Sequence, residues 1–168
     1  MTTAQKYLLN YALTILAKRR FTVSEMVRKL EARNRKSPAP MSDQDLQEIL
    51  EKLIKSNFLN DRDYAYFYIE GRTNGQYKPV GSIKIRAKLR QKGIDQAHIN
   101  AAISQLEPDE YSLAKSLLSR KIKNLQPSDL REQKTQAKLA RFLQSNGFNT
   151  DVTYKTLRSL INAPIEEF

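Results

Sequence analysis

The chain contains no cysteine. That excludes disulfides, thiolate catalysis and cysteine-ligated zinc. It contains one histidine, His98, so no site built on two imidazoles can form. No apolar run approaches the roughly 20 residues that span a bilayer. The N-terminus has neither the long apolar core nor the small-residue cleavage site of a signal peptide. Strand signals are nearly missing: no stretch alternates apolar and polar residues over six positions with β-branched enrichment. Apolar residues are only 40% of 168, which is lean for one thick core. These absences describe a soluble, cytoplasmic, basic protein with no cofactor, no metal and no membrane partner. They make it a poor candidate for an enzyme.

Positive charge is plentiful. Lys and Arg number 29 against 18 Asp and Glu, a net +11. The excess is not a tail. Residues 1–60 carry 11 basic and 6 acidic side chains, residues 61–107 carry 8 and 5, and residues 108–168 carry 10 and 7. Distributed charge of this kind suits a long footprint on a polyanion or an acidic protein surface. The densest block, Gly71 to Ile94, holds Arg72, Lys78, Lys84, Arg86, Lys88, Arg90 and Lys92 with no acid. A second, Ala17 to Lys36, sets eight basic residues against Glu25 and Glu31. The one local acidic bias is Glu166-Glu167.

Helical spacing recurs along the chain. Leu8, Ala12, Ile15 and Leu16 form one apolar stripe, Met26, Val27 and Leu30 a second, and Leu46, Ile49, Leu50 and Leu53 a third. Thr22 stands three residues before Glu25, the spacing of a capping box. Ser42 and Asp43 precede the third stripe, Asp95 opens a helix after Gly93-Ile94, and Ser128 after Pro127 opens another.

An offset of 54 carries Leu89 onto Leu143, Gly93 onto Gly147, Ile94 onto Phe148 and Ile85 onto Leu139. Both segments read as a helix, a glycine cap, a buried apolar residue and a second helix. Met26 and Leu30 fit the same template 59 residues before Ile85 and Leu89. Leu46, Leu50 and Leu53 fit it 53 before Ile99, Ile103 and Leu106, which places a six-residue insertion in the Pro-containing loop 34–42. Leading helices are expected over Leu8–Arg19, Tyr64–Arg72 and Leu113–Lys123. The expected architecture is all-α: three tandem three-helix repeats over 5–57, 58–107 and 108–163, forming an elongated, curved array.

The segment Asn57-Phe58-Leu59-Asn60-Asp61-Arg62-Asp63-Tyr64-Ala65 is similar to a signature of Gly, an apolar pair, two acids, two variable residues, an aromatic and Ala. The segment Lys78 to Ile94, with Gly81, Ile85 and Leu89-Arg90-Gln91-Lys92-Gly93-Ile94, matches a Gly, Ile, Leu-x-x-Lys-Gly-Ile core. The segment Lys138-Leu139-Ala140-Arg141-Phe142-Leu143 through Gly147-Phe148 matches a last unit. On these three segments, across about residues 8–162, the chain resembles the bacterial regulatory RecX family. It departs from the pattern at Asn57, where Gly is usual, and at Asn60, where Asp is common. Asn tolerates the left-handed turn after a helix and can cap the next one. The resemblance implies a modulator, usually an inhibitor, of the RecA recombinase; a monomer is the expected state. It would act on the RecA–DNA filament in recombinational repair and the damage response, and bind single- or double-stranded DNA without sequence preference.

On a helix over 82–92, Ile85 and Leu89 share one narrow stripe, with Lys84 and Lys88 on one flank and Arg86 and Arg90 on the other. Arg offers forked donors and Lys point charges, both suited to phosphate or carboxylate. With Arg72, Lys78, Lys92, Arg120, Lys121, Lys138 and Arg141 they form the candidate face for partner or nucleic acid. A helix-turn-helix reader of duplex DNA is the alternative, although these helices lack a dense set of Asn, Gln and Arg at base-reading spacing. The aromatics Tyr64, Tyr66, Phe67, Tyr68 and Tyr77 could stack on bases. The spacing of Tyr64 and Phe67 instead predicts packing between the first two repeats. Asp61 and Asp63 suit the positive end of a helix dipole and need no catalytic role.

Overall fold

The computed structural model describes residues 2–162 and is helical throughout, with no strand among them. The helices are α1 Thr3–Leu16, α2 Val23–Asn34, α3 Asp43–Lys55, α4 Asp61–Thr73, α5 Ser82–Gln91, α6 Gln96–Leu106, α7 Glu110–Ile122, α8 Pro127–Arg131, α9 Gln133–Ser145 and α10 Thr150–Ile161. Glu166-Glu167 and the last residue of the third expected repeat lie outside the described residues.

Local chemistry sets the helix ends. The box predicted at α2 is present: Thr22 Oγ1 accepts from the Glu25 N–H and the Glu25 carboxylate accepts from the Thr22 N–H. Ser42 caps α3 and Asn60 caps α4 through their side-chain oxygens. Asp95 Oδ1 accepts from the Ala97 N–H at the start of α6.

Several helix limits differ from expectation; α4 starts at Asp61 and α7 at Glu110, each three residues before the expected Tyr64 and Leu113. The first helix begins at Thr3, because Thr2 and Gln5 form a capping box upstream of Leu8, and it ends at Leu16 before reaching Arg19. The helix expected to open at Ser128 begins at Pro127, which suits the first helical position because it has no N–H to satisfy. It lasts only five residues, ends where Glu132 turns extended, and α9 then starts afresh at Gln133.

Three helix ends share one turn. The N–H groups of Asn57, Gly93 and Gly147 donate to the carbonyls of Ile54, Arg90 and Gln144. The following N–H groups of Phe58, Ile94 and Phe148 donate to Leu53, Leu89 and Leu143. This is the double hydrogen bond of the Schellman motif. It requires positive φ, and the values are +57° at Asn57, +82° at Gly93 and +89° at Gly147. Asn57 therefore takes the left-handed geometry that its position demands.

The chain forms two compact units. One runs through Phe67 and takes in Leu89–Ala102; the other holds Tyr68–Lys88 and the described residues from Ile103 onward. In the first, α1, α2 and α3 pack mutually around Leu8, Ala12, Met26, Leu30, Ile49 and Leu53. In the second, α7, α9 and α10 pack mutually around Leu117, Leu118, Leu139, Leu143, Phe148 and Leu157, with α8 against α9. Nearly all the predicted stripe positions are buried, whereas Val27, Ile15, Leu16, Ile103 and Leu106 are half-buried.

One core group is unsatisfied. Thr153, on α10, is fully buried and its hydroxyl has no hydrogen-bond partner. Burying an unpaired hydroxyl is costly, while valine has the same shape without it. Thr153→Val is expected to raise unfolding stability by ~1 kcal/mol in urea titrations; a loss would mean that the hydroxyl has a partner in solution.

Candidate nucleic-acid and partner interface

The basic helix α5 is held by its first residues. The N–H groups of Gly81 and Ile83 donate to the carbonyls of Asn146 (2.9 Å) and Gly147 (3.2 Å), and the Ser82 N–H donates to Glu110 Oε1 (2.6 Å). The orphan donors of the helix start are thus satisfied by the C-terminal turn of α9 and by a carboxylate from α7. The approach is so close that a Cβ on Gly81 would sit 2.1 Å from the Gly147 carbonyl oxygen. A Cβ on Gly147 would sit 2.4 Å from Lys84 Cβ. Gly147 is therefore fixed twice, by its φ and by its neighbour.

The same device occurs in the other unit, at the start of α2. Thr22 Oγ1 donates to the Lys92 carbonyl (2.8 Å), and a Cβ on Gly93 would lie 2.4 Å from Ser24 Cβ. Thr22 stands 59 residues before Gly81 and Gly93 stands 54 before Gly147, so the repeat offsets relate the two contacts.

The α5 stripe is as predicted: Ile85 and Leu89 are buried, Lys84, Lys88 and Arg90 are exposed, and Arg86 is half-buried. Among the candidate cations, Arg72, Lys78, Lys84, Arg86 and Lys88 share one compact unit with Arg120, Lys121, Lys138 and Arg141. Within it, Lys78 and Lys121 both point at the Phe142 ring, at 5.5 and 5.4 Å from its centroid, and Lys84 Nζ donates to the Ser145 carbonyl at 3.3 Å. Phe142 thus gathers cations from the α4–α5 loop and α7 beside Lys138 and Arg141 of its own helix. Sequence reasoning passed over it, since its only local signal was an aromatic next to Arg141. Arg120, Lys121, Lys138 and Arg141 are exposed. Arg72 is half-buried between the rings of Tyr68 and Tyr77 and donates to the Lys78 carbonyl, so it braces the 74–78 loop.

Arg90 and Lys92 belong to the other unit. Lys92 Nζ is 2.6 Å from Glu25 Oε1 and lies over Tyr64, with the two charged side chains only 19% and 18% exposed. Its charge is committed inside the fold, to a partner 67 residues away that no local pattern could indicate.

Asp61 lies in the first turn of α4, as expected, and also serves a second helix. Its Oδ1 accepts from the Val23 N–H at 2.8 Å and completes the start of α2. Phe67 is 43% exposed, so it does not have the buried packing role its spacing suggested; Arg20 covers it at 3.9 Å.

Burial works to raise the Glu25 pKa, but the Lys92 hydrogen bond, the Thr22 N–H and the charges of Lys92 and Arg19 outweigh it and hold the carboxyl below its ordinary value. Burial works to lower that of Lys92, yet its bonds to Glu25 and Tyr64 carry it above its ordinary value. Asp61 is pushed up by burial, against the Val23 N–H and the His98 charge. By linkage, the Glu25 contribution is present above its unfolded-state pKa and is lost as pH falls through the lower folded one. The Lys92 contribution is present below its unfolded value and is lost as pH rises through the folded one. Asp61 acts opposite to Glu25, favouring the fold in acid.

Among the described residues no group of His, Asp and Glu could hold a metal ion, and no helix is long and apolar enough to cross a membrane. The fold is that of an all-α helical-repeat protein, one compact unit of which exposes Lys78, Lys84, Lys121, Lys138 and Arg141. Family models for the second and third three-helix domains of RecX match residues 60–103 and 108–157. Regulatory protein RecX of Stenotrophomonas maltophilia is 31% identical over 147 residues, covering 88% of this chain and 83% of that protein. Its counterpart in Yersinia enterocolitica is 30% identical over 156 residues, covering 84% and 90%. A crystal structure of regulatory protein RecX superposes with a TM-score of 0.71 at 26% identity, covering 92% of this chain and 71% of that one. The chain belongs to the RecX family, whose similar members are named as regulatory proteins rather than enzymes.

Two substitutions test the local geometry. Gly147→Ala places a Cβ at positive φ against Lys84 and is expected to cost about 2–4 kcal/mol in urea unfolding. Lys92→Met is expected to cost about 2 kcal/mol at neutral pH. That gap to the parent protein should narrow in acid once Glu25 is protonated; a gap independent of pH would show that the ion pair is not its source.

Proposed function

We propose that this protein binds the RecA recombinase and the RecA–DNA filament and inhibits filament activity in DNA repair and recombination. RecA is the partner that the RecX resemblance implies. The observation that carries the reading is the cation set on one compact unit: Lys78 and Lys121 about Phe142, with Lys84, Lys138 and Arg141 on neighbouring turns. Among the described residues no carboxylate forms an ion pair with any of these five, so their charge is available to phosphate or to an acidic protein groove. The action is steric and needs no chemistry: a rigid basic surface laid along a nucleoprotein filament blocks subunit addition or exchange.

The alternative of a sequence reader finds less support. A recognition helix presents its N-terminal residues to base edges. The N-terminus of α5 is instead seated on the Asn146–Gly147 turn.

Pull-down with RecA, with and without single-stranded DNA, tests the proposal. The parent protein should be retained and should inhibit strand exchange at stoichiometric amounts. The set Lys78→Glu, Lys84→Glu, Lys121→Glu and Lys138→Glu should weaken retention at least tenfold and flatten its salt dependence. Parent protein that leaves RecA activity unchanged, or a folded charge-reversed variant that binds as the parent does, would overturn it.

A further inference from the structure

Outside the basic face, the first compact unit exposes two large aromatic side chains around one arginine. Phe58 follows the left-handed Asn57 at the end of α3 and is 55% exposed; Phe67, on α4, is 43% exposed. The Arg20 guanidinium lies over the Phe67 ring at 3.9 Å from its centroid. Arg20 also lines, with Phe58, a small cleft whose other walls are Phe21, Asn57, Asn60, Asp63 and Tyr64. Lys18, Arg19 and Arg20 are consecutive and exposed.

The Schellman turn explains the backbone at Phe58 but not its exposure. In the equivalent turns the residue at that position, Ile94 or Phe148, is buried. Here the aromatic is turned out to solvent beside a cation. Besides Arg20, the polar groups of the cleft are the Asn57 and Asn60 amides, the Tyr64 phenol and Asp63, whose Oδ2 accepts from Asn60 Nδ2. Flat π-faces, a stacked guanidinium and a run of cations together suit an unpaired nucleobase joined to phosphates. A purely electrostatic duplex contact has no use for the rings, and an acidic peptide would not need two of them.

We propose that Phe58, Phe67 and Arg20 form a stacking site for the bases of single-stranded nucleic acid, separate from the basic face described above. The proposal rests on the filament-binding reading and gives the exposed bases of the filament's single strand a contact on the first unit. Stacking energy on an aromatic ring is tolerant of base identity, so the site distinguishes single strand from duplex rather than one sequence from another.

The experiment is fluorescence anisotropy of the full chain with three labelled probes of equal length: an oligo-dT strand, the same strand made abasic, and a duplex. Phe58→Ala with Phe67→Ala is expected to weaken oligo-dT binding about tenfold or more. It should leave duplex and abasic affinities and the salt slope unchanged. Phe58→Tyr with Phe67→Tyr should restore oligo-dT binding, which separates stacking from a packing defect. Equal losses on all three probes, or no loss on oligo-dT, would overturn the proposal. The charge-reversed set of the second unit gives the opposite signature, losing affinity for all three probes with a reduced salt slope. The basic-face reading and the stacking reading can therefore fail independently.

Discussion

Two backbones meet at Gly81 and Gly147 with no side chain between them, and the position of the basic helix depends on that contact. The start of α5 has donors that need acceptors, and the left-handed end of α9 has carbonyls turned outward. Each satisfies the other, as Gly81 N–H to Asn146 oxygen and Ile83 N–H to Gly147 oxygen. A Cβ on either glycine would push the two apart. Seated this way, α5 buries Ile85 and leaves Lys84 and Lys88 on the outside. The same contact brings Lys84 to the Ser145 carbonyl, two residues from the turn.

The related contact at α2 uses side chains. Thr22 replaces the glycine of the equivalent position, and its hydroxyl both caps its own helix and donates to the Lys92 carbonyl. An ion pair between Glu25 and Lys92 then reinforces the seat. A half-buried pair of this kind is weak evidence of net stabilisation by itself. Its value is positional: with Asp61 bonded to Val23, it leaves the start of α2 one arrangement.

Much of this was legible in the sequence. Apolar spacing located the helices, because amphipathic periodicity reports directly on burial. The repeat offsets paired Gly93 with Gly147, and the structure gives them the same turn. Asn57 could be read as a left-handed residue because few residue types accept that φ. What the sequence hid was long-range. Nothing near Gly81 announces a carbonyl that is 66 residues away in the chain, and nothing near Lys92 announces Glu25. Phe67 was misjudged because helical spacing does not say whether a neighbour arrives to cover a ring. The opening of α8 was visible in its proline, but its early end was not, because nothing local marks the extended break at Glu132. In the candidate site, the cations could be named from composition, whereas their grouping around Phe142 depends on α7 and α9 packing side by side.

The central claim is that the backbone contact between α5 and the α9 turn is an integral part of the folded unit. Native-state hydrogen exchange at the Gly81 and Ile83 amides measures it directly. Both are expected to exchange only through the large-scale opening that also releases the core amides of Leu118 and Leu143. Exchange of Gly81 and Ile83 through fast local fluctuation, while Leu118 and Leu143 stay protected, would contradict it.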